Sequence, residues 1–259
     1  MEGAQGTVLC ALSRIQKNCK GAQRTVPCAL QIGGVIMSDI IEVKAGVEAE
    51  NEKVAAEVRK LLREHQVRLI NLMASPGAGK TSLLEQTIDS LKSAYRIAVM
   101  EADVDADVDA KRIEAHGAKA LQIHTGGLCH MDAAMTLTAL KALDLDNLDL
   151  IFLENVGNLV CPAEFDTGSD LNVMILSVPE GDDKPLKYPL MFQVVDCVLV
   201  NKIDTDEIFD FDLQKLEKNI APLNDKAKII PISAFTGSGI ENWLVYLREK
   251  MFVWSYSCH

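Results

Sequence analysis

The run Ala74-Ser75-Pro76-Gly77-Ala78-Gly79-Lys80-Thr81 constrains this chain more than any other stretch. It stands between an apolar, β-rich segment, VRLINLM, and a segment patterned as a helix, TSLLEQTIDSLK. Two glycines in so short a turn let the backbone curl back and aim successive N–H groups at one point, and the following helix adds the positive end of its dipole. This is the strand, loop and helix order of a Walker A motif. Gly77, Ala78, Gly79, Lys80, Thr81 and Ser82 are therefore predicted to hold nucleotide phosphates, with Lys80 neutralising β/γ charge as a catalytic group and the Thr81 hydroxyl ligating Mg2+. Ala74 replaces the usual first glycine, a small departure.

A phosphate loop needs a sheet to carry it. From Val67 onward, short apolar runs (VRLINLMA, RIAVME, AKALQI, LDLIFLE, LNVMILSV, DCVLVNK and AKIIPIS) alternate with helical segments. That rhythm predicts an α/β P-loop NTPase fold, a mostly parallel sheet with helices on both faces. Ligands of such sheets gather at the carboxyl ends of the strands. The 259 residues divide by pattern into a weakly ordered extension (1–36), an N-terminal segment with an amphipathic helix (37–66), a P-loop domain (67–251) and an apolar tail (252–259). Val47, Val54, Val58, Leu61 and Leu62 form the helix's apolar stripe. The excess of 37 acidic over 26 basic residues, a formal charge of −11, argues against a broad grip on nucleic acid or an anionic membrane. No apolar run is long enough to span a bilayer and the start lacks a basic signal, so a cytoplasmic location is expected. Seven cysteines in a chain this long do not make a disulfide framework, which leaves them as thiols, core residues or metal ligands.

Magnesium and an attacking water call for acidic groups at neighbouring strand ends. Asp103 after RIAVME and Glu154 after LDLIFLE are the candidates, on strands expected to flank the P-loop strand. Asp105, Asp107 and Asp109 are alternatives to Asp103. Gly157 is placed to meet the γ-phosphate as a switch glycine. After DCVLV comes Asn201-Lys202-Ile203-Asp204. The Asp204 carboxylate can accept from both N1–H and the 2-amino group of guanine, a pair of donors adenine lacks, while Lys202 lies over the base. Ser233 and Ala234, following AKIIPI, form a second loop able to offer a backbone N–H to guanine O6. Together these features predict a GTPase.

Cys129 and His130 follow a glycine pair in HTGGLCHMDAAM, and Cys161 lies just past the switch in ENVGNLVCPAEFD. Thiolate and imidazole suit Zn2+ or Ni2+, although buried Cys and a helix-start His are the plainer reading. Three ligands are one short of a closed tetrahedral site, a deficit that a symmetric dimer would remove. Cys197, within DCVLV, reads as core, and His124 as structural.

MASPGAGKTSLLEQTI, EADVDADVDAKRI, HTGGLCHMDAAM, LIFLENVGNLVCPAEFD, SVPEGDDKPLKYPLMF and LVNKIDT together resemble the HypB family of hydrogenase nickel-incorporation GTPases, over residues 40–250. The resemblance implies a GTP-dependent homodimer that holds metal between subunits, works with a nickel metallochaperone partner and helps deliver nickel to the large-subunit precursor of a [NiFe] hydrogenase. It further implies Cys129, His130 and Cys161 as ligands of Ni2+ or Zn2+, Asp103 and Glu154 as the magnesium and water-side acids, and Lys184 near the nucleotide across the dimer. Widely spaced Cys10, Cys19 and Cys28 do not reproduce the Cys-rich or His-rich N-terminal nickel motif of some members. The related urease accessory GTPases separate Cys from His by one residue, unlike Cys129-His130. A GTP switch without metal transfer and a metal-storage protein are the other classes considered.

Overall fold

A computed structural model describes residues 37–102 and 106–255, with side chains described for 46–102 and 109–251. The chain divides into two units, Met1–Ala45 and Gly46–His259. Of the first, only the helical backbone of residues 37–45 is described, so the expectation for residues 1–36 lies outside the described residues.

In chain order the elements are α1 (Met37–His65), β1 (Arg68–Ala74), α2 (Lys80–Leu91), β2 (Ile97–Glu101), α3 (Ala106–Ala115), β3 (Lys119–Gln122) and α4 (Ala133–Lys141). They continue with β4 (Leu150–Glu154), α5 (Cys161–Glu164), β5 (Leu171–Ser177), α6 (Lys184–Lys187), α7 (Pro189–Val194), β6 (Cys197–Asn201), α8 (Leu213–Ile220), β7 (Lys228–Pro231) and α9 (Ile240–Ser255). Each of the seven apolar runs is a strand, and every pairing between them is parallel.

Strands β2, β4 and β6 are buried at every position, as strands covered on both faces must be. On one face Ile70 and Leu72 of β1 pack with Leu84 and Ile88 of α2, Ile113 of α3 and Trp243 of α9. The Trp243 indole donates at 3.0 Å to the buried Thr87 hydroxyl, so this large side chain is sealed without an orphaned N–H. On the other face Leu69, Met100 and Ile151 meet Val58 and Leu62 of α1 and Leu140 of α4. Further along that face, Met174 and Val200 meet Phe192 of α7 and Leu216 of α8. The predicted stripe of α1 is correct at Val58 and Leu62, but Val47 is 52% exposed, because it precedes the stretch that reaches the sheet.

The strand order is β3-β2-β4-β1-β5-β6-β7. This corrects one expectation: β4 flanks the P-loop strand, but β2 does not, since β4 is inserted between them. The carboxyl ends of β2 and β4 still adjoin, and Glu101 pairs in register with Glu154. The helix α9 also runs to Ser255, into the segment that the sequence pattern set apart as a tail.

Candidate functional site

At the carboxyl end of β1, Gly77 (φ 73°) and Gly79 (φ 100°) adopt left-handed conformations that L side chains resist. Gly79 is also the residue preceding α2, and it offers no side chain to cover the helix's first N–H groups. A Cβ on Gly79 would collide with the Asn201 side-chain amide. Lys80 and Thr81 open the helix directly behind the loop, which puts an ammonium and a hydroxyl beside the backbone cradle. Lys80 is buried, and Thr81 and Ser82 are half-buried.

Asn201, at the end of β6 and nearly inaccessible, joins the phosphate end to the base end. Its amide donates to Ala78 O at 2.8 Å, and its oxygen accepts from the backbone N–H of Lys202 at 2.8 Å and of Ala234 at 2.9 Å. Lys202 has a positive φ of 64°, unusual for a side chain of its size, and its ammonium donates to Gly77 O at 2.8 Å. The aliphatic stem of Lys202 therefore runs from the base loop to the phosphate loop. Ser233 Oγ donates to Asp204 Oδ1 and also accepts from Thr236 N, which fixes the carboxylate that sequence reasoning nominated as base reader.

Thr81 Oγ1 donates to Glu154 Oε1 at 3.3 Å, so the hydroxyl of the helix start and the acid of β4 share one place. Beside them Glu101 is 1% exposed, and neither of its carboxylate oxygens has a hydrogen-bond partner among the described residues. Burial first, and then the charges of Glu154, Asp109 and Glu114, push its pKa up from 4.5 to about 7. Two carboxylates and a hydroxyl around the phosphate loop are a donor set suited to a hard cation such as Mg2+. Asp103 and Asp105 lie outside the described residues, as does the side chain of Asp107, while Asp109 is paired with Arg112 at 3.2 Å.

The Cys/His residues form a second cluster. Gly126 and Gly127 (φ 66° and 89°) turn the chain after β3, and Cys129 Sγ comes within 2.7 Å of Cys161 Sγ. His130 Nδ1 lies 3.9 Å from Cys129 Sγ, and the ligand atoms of all three residues fall within 4.8 Å of one another. The His130 ring stacks on Phe165 at a centroid separation of 3.9 Å, which limits its orientation. Hydrogen bonding to Cys161, aided by burial and by its charge, raises the Cys129 pKa, and burial lowers that of His130. A soft divalent cation between the sulfurs would relieve that repulsion, and neutral imidazole is the ligating form.

Gly157 packs against the phosphate loop, where a Cβ would meet Pro76 atoms at 3.0–3.3 Å, so a larger residue would have to push Pro76 back by a few tenths of an ångström. Lys184 engages Glu180 at 3.6 Å and lies 5.3 Å from the centre of the Tyr188 ring. Cys197 is fully buried and its thiol pKa is pushed up by that burial, in keeping with a core residue. His124 is exposed and lines a surface recess with Leu121 and Met135. Sequence reasoning passed over Glu101, hidden at the end of an apolar run, and Asn155, whose role depends on contacts remote in sequence.

An all-parallel α/β sheet with a Gly-rich loop between β1 and α2 and an Asn-Lys-x-Asp loop after β6 defines a nucleotide-binding protein of the P-loop class. Residues 68–231 match the family described as CobW/HypB/UreG, nucleotide-binding domain. Hydrogenase maturation factor HypB of Azotobacter vinelandii is 42% identical over 224 residues, covering 86% of this chain and 74% of that protein. The crystal structure of HypB from Archaeoglobus fulgidus superposes with a TM-score of 0.74 at 39% identity, covering 78% of this chain and 99% of that one. HypB from Helicobacter pylori, solved in complex with nickel, gives a TM-score of 0.74 at 37% identity, covering 78% and 95%. The chain belongs to the HypB hydrogenase maturation factors of the CobW/HypB/UreG family.

Proposed function

We propose that this protein is a cytoplasmic GTP-hydrolysing metallochaperone, which binds nickel, or zinc, at Cys129, His130 and Cys161 in a nucleotide-controlled homodimer. It assists nickel insertion into the large-subunit precursor of a [NiFe] hydrogenase, together with a nickel metallochaperone partner. The observation that carries this reading is the convergence of three soft ligand atoms within 4.8 Å on loops continuous with the nucleotide site. Cys161 lies seven residues past Glu154, in the segment that also holds Gly157. Leu128 and Val160, 48% and 50% exposed, flank the two cysteines and offer apolar surface to a second copy. In this reading Lys184 reaches the nucleotide across the dimer. Nucleotide handling is assigned to residues 67–251, with residues 1–36 and 252–259 outside it.

In this mechanism the backbone around Gly77–Gly79 and the start of α2 hold the phosphates, and Lys80 draws charge from the β/γ oxygens. Thr81, Glu154 and Asp103 would hold Mg2+, which when bound neutralises charge developing on the phosphates. Asp204, Ser233, Ala234 and the Lys202 stem select guanine. Gly157 orders on the γ-phosphate and relaxes after hydrolysis, so the ligand loop beyond it is tight in one state and loose in the other.

The test is the assembly state and Ni2+ affinity with a non-hydrolysable GTP analogue and with GDP. The analogue is expected to favour the dimer and to strengthen Ni2+ binding by roughly 5–150-fold, the usual range for allosteric coupling. Cys161→Ala should keep GTP binding and lose this difference, whereas Cys197→Ala should change neither. Equal Ni2+ affinity in the two nucleotide states of the wild type would overturn the mechanism, even with all three ligands confirmed.

A further inference from the structure

A metal site on a surface loop can answer to a nucleotide only if something rigid joins the two. One buried side chain bonds to the His130 loop, to the switch segment and to the strand that leads into the phosphate loop. Asn155 is fully inaccessible, at the first position after β4. Its side-chain oxygen accepts from Met131 N at 3.1 Å, the residue directly after His130, and from Val156 N at 2.9 Å, the residue directly before Gly157. Its amide donates at 3.1 Å to Asn71 Oδ1, in the strand that feeds the phosphate loop. Asn71 donates onward to Asn172 Oδ1 at 3.0 Å, on β5. The Asn155 backbone N–H is bonded to Leu72 O at 3.0 Å, so the amide side chain stands on a fixed base. Beyond it, Asn158 Nδ2 donates to Cys129 O at 3.4 Å and Asn158 Oδ1 accepts from Val160 N at 2.8 Å, which links the two cysteine loops.

We infer that Asn155 is the positioning residue through which the nucleotide state sets the geometry of the Cys/His metal site, a proposal that rests on the nucleotide-controlled metal reading above. Met131 is itself fully buried, so no water waits to replace a bond lost between its N–H and the Asn155 oxygen. A displacement of Gly157 relative to Pro76 is therefore felt at Val156 and, through the same oxygen, at Met131 and the His130 backbone. The Asn71 bond holds the amide plane against β1, which gives the loop movement a fixed reference. Asn51 supplies an internal contrast. It accepts from Ala133 N at 3.0 Å and donates to Asp166 O at 2.9 Å, and so steadies the same chain segment from α1 with no bond to β4 or the switch.

The experiment compares Ni2+ affinity with a GTP analogue and with GDP for the full-length wild type, Asn155→Ala, Asn71→Ala and Asn51→Ala. The readout is the ratio of the two affinities, which a merely structural role leaves unchanged. In Asn155→Ala the ratio should collapse from the roughly 5–150-fold coupling range to under about threefold, and in Asn71→Ala it should fall in the same direction. Asn51→Ala should retain the wild-type ratio. Ni2+ binding weakened equally in both nucleotide states by Asn155→Ala overturns the proposal, as does an Asn51→Ala loss as large as that of Asn155→Ala. Should Asn155→Ala not fold, an undiminished ratio in Asn71→Ala overturns it. A wild-type ratio of one sinks the nucleotide-controlled metal site itself, a result distinct from failure of Asn155 alone.

Discussion

Replacing Glu101 by glutamine tests how much the fold gives up to keep two carboxylates together at the carboxyl ends of β2 and β4. Glu101 is 1% exposed, so the field it feels is poorly screened, and its pKa is raised from 4.5 to about 7 by burial and then by Glu154, Asp109 and Glu114. The folded protein therefore binds this proton more tightly than the unfolded chain does. Stability from this group is fully present below pH 4.5 and is lost as pH rises through 7. At about 1.36 kcal/mol for each pH unit, the loss reaches about 3 kcal/mol. The substituted glutamine carries no charge, but its amide would bury N–H groups at a cost of about 1–2 kcal/mol. The expected net gain in nucleotide-free protein at pH 8 is thus about 1–2 kcal/mol, shrinking and then reversing toward pH 5. Urea denaturation at pH 5, 6, 7 and 8 measures both the gain and the slope. An unchanged slope between pH 5 and 7 would refute the reasoning, because it would mean that Glu101 does not titrate across that window in the fold.

Asp204→Asn should lose its preference for GTP over ATP by a few kcal/mol, about a hundredfold, since an amide cannot accept from both guanine donors; competition binding with the two nucleotides decides it. Gly79→Ala forces a β-carbon into a φ of 100° and against the Asn201 amide. It should destabilise the protein by at least about 1–3 kcal/mol and weaken nucleotide binding, read by thermal denaturation and by titration with fluorescent GDP. Lys80→Ala should reduce GTP turnover by at least about a hundredfold, on the scale of one lost electrostatic catalytic group, measured as phosphate release.

Much of this protein is written in short stretches of sequence. The phosphate loop declares itself because Gly77 and Gly79 must take positive φ where a strand passes into a helix, and those requirements concern adjacent residues. The inner strands are likewise legible, since a strand buried on both faces reads as an apolar run, as LIFL of β4 and CVLV of β6 do before each ends on one polar residue, Glu154 and Asn201. Residue type makes Cys129, His130 and Cys161 only possible ligands, and it is the family resemblance that assigns them to a metal, while the order of motifs along the chain points to one edge of the sheet.

The neighbour relations were not legible. RIAVME and LDLIFLE read alike as buried strands, and nothing local shows that β4 enters between β1 and β2, because that order is settled by how whole helix faces cover the sheet. Val47 shares the apolar character of Val58 yet stays in solvent, since only the later turns of α1 meet the sheet. The 2.7 Å approach of Cys129 to Cys161 depends on two loops from different crossovers. Asn155 is an ordinary asparagine, and Asn201 only the first letter of a motif, until the fold buries them among N–H and C=O groups from three segments apiece. A side-chain amide can satisfy several partners at once only when they are brought together from far apart in the chain. Local sequence therefore determined the loops and strands, and tertiary structure alone decided which of them share a hydrogen bond.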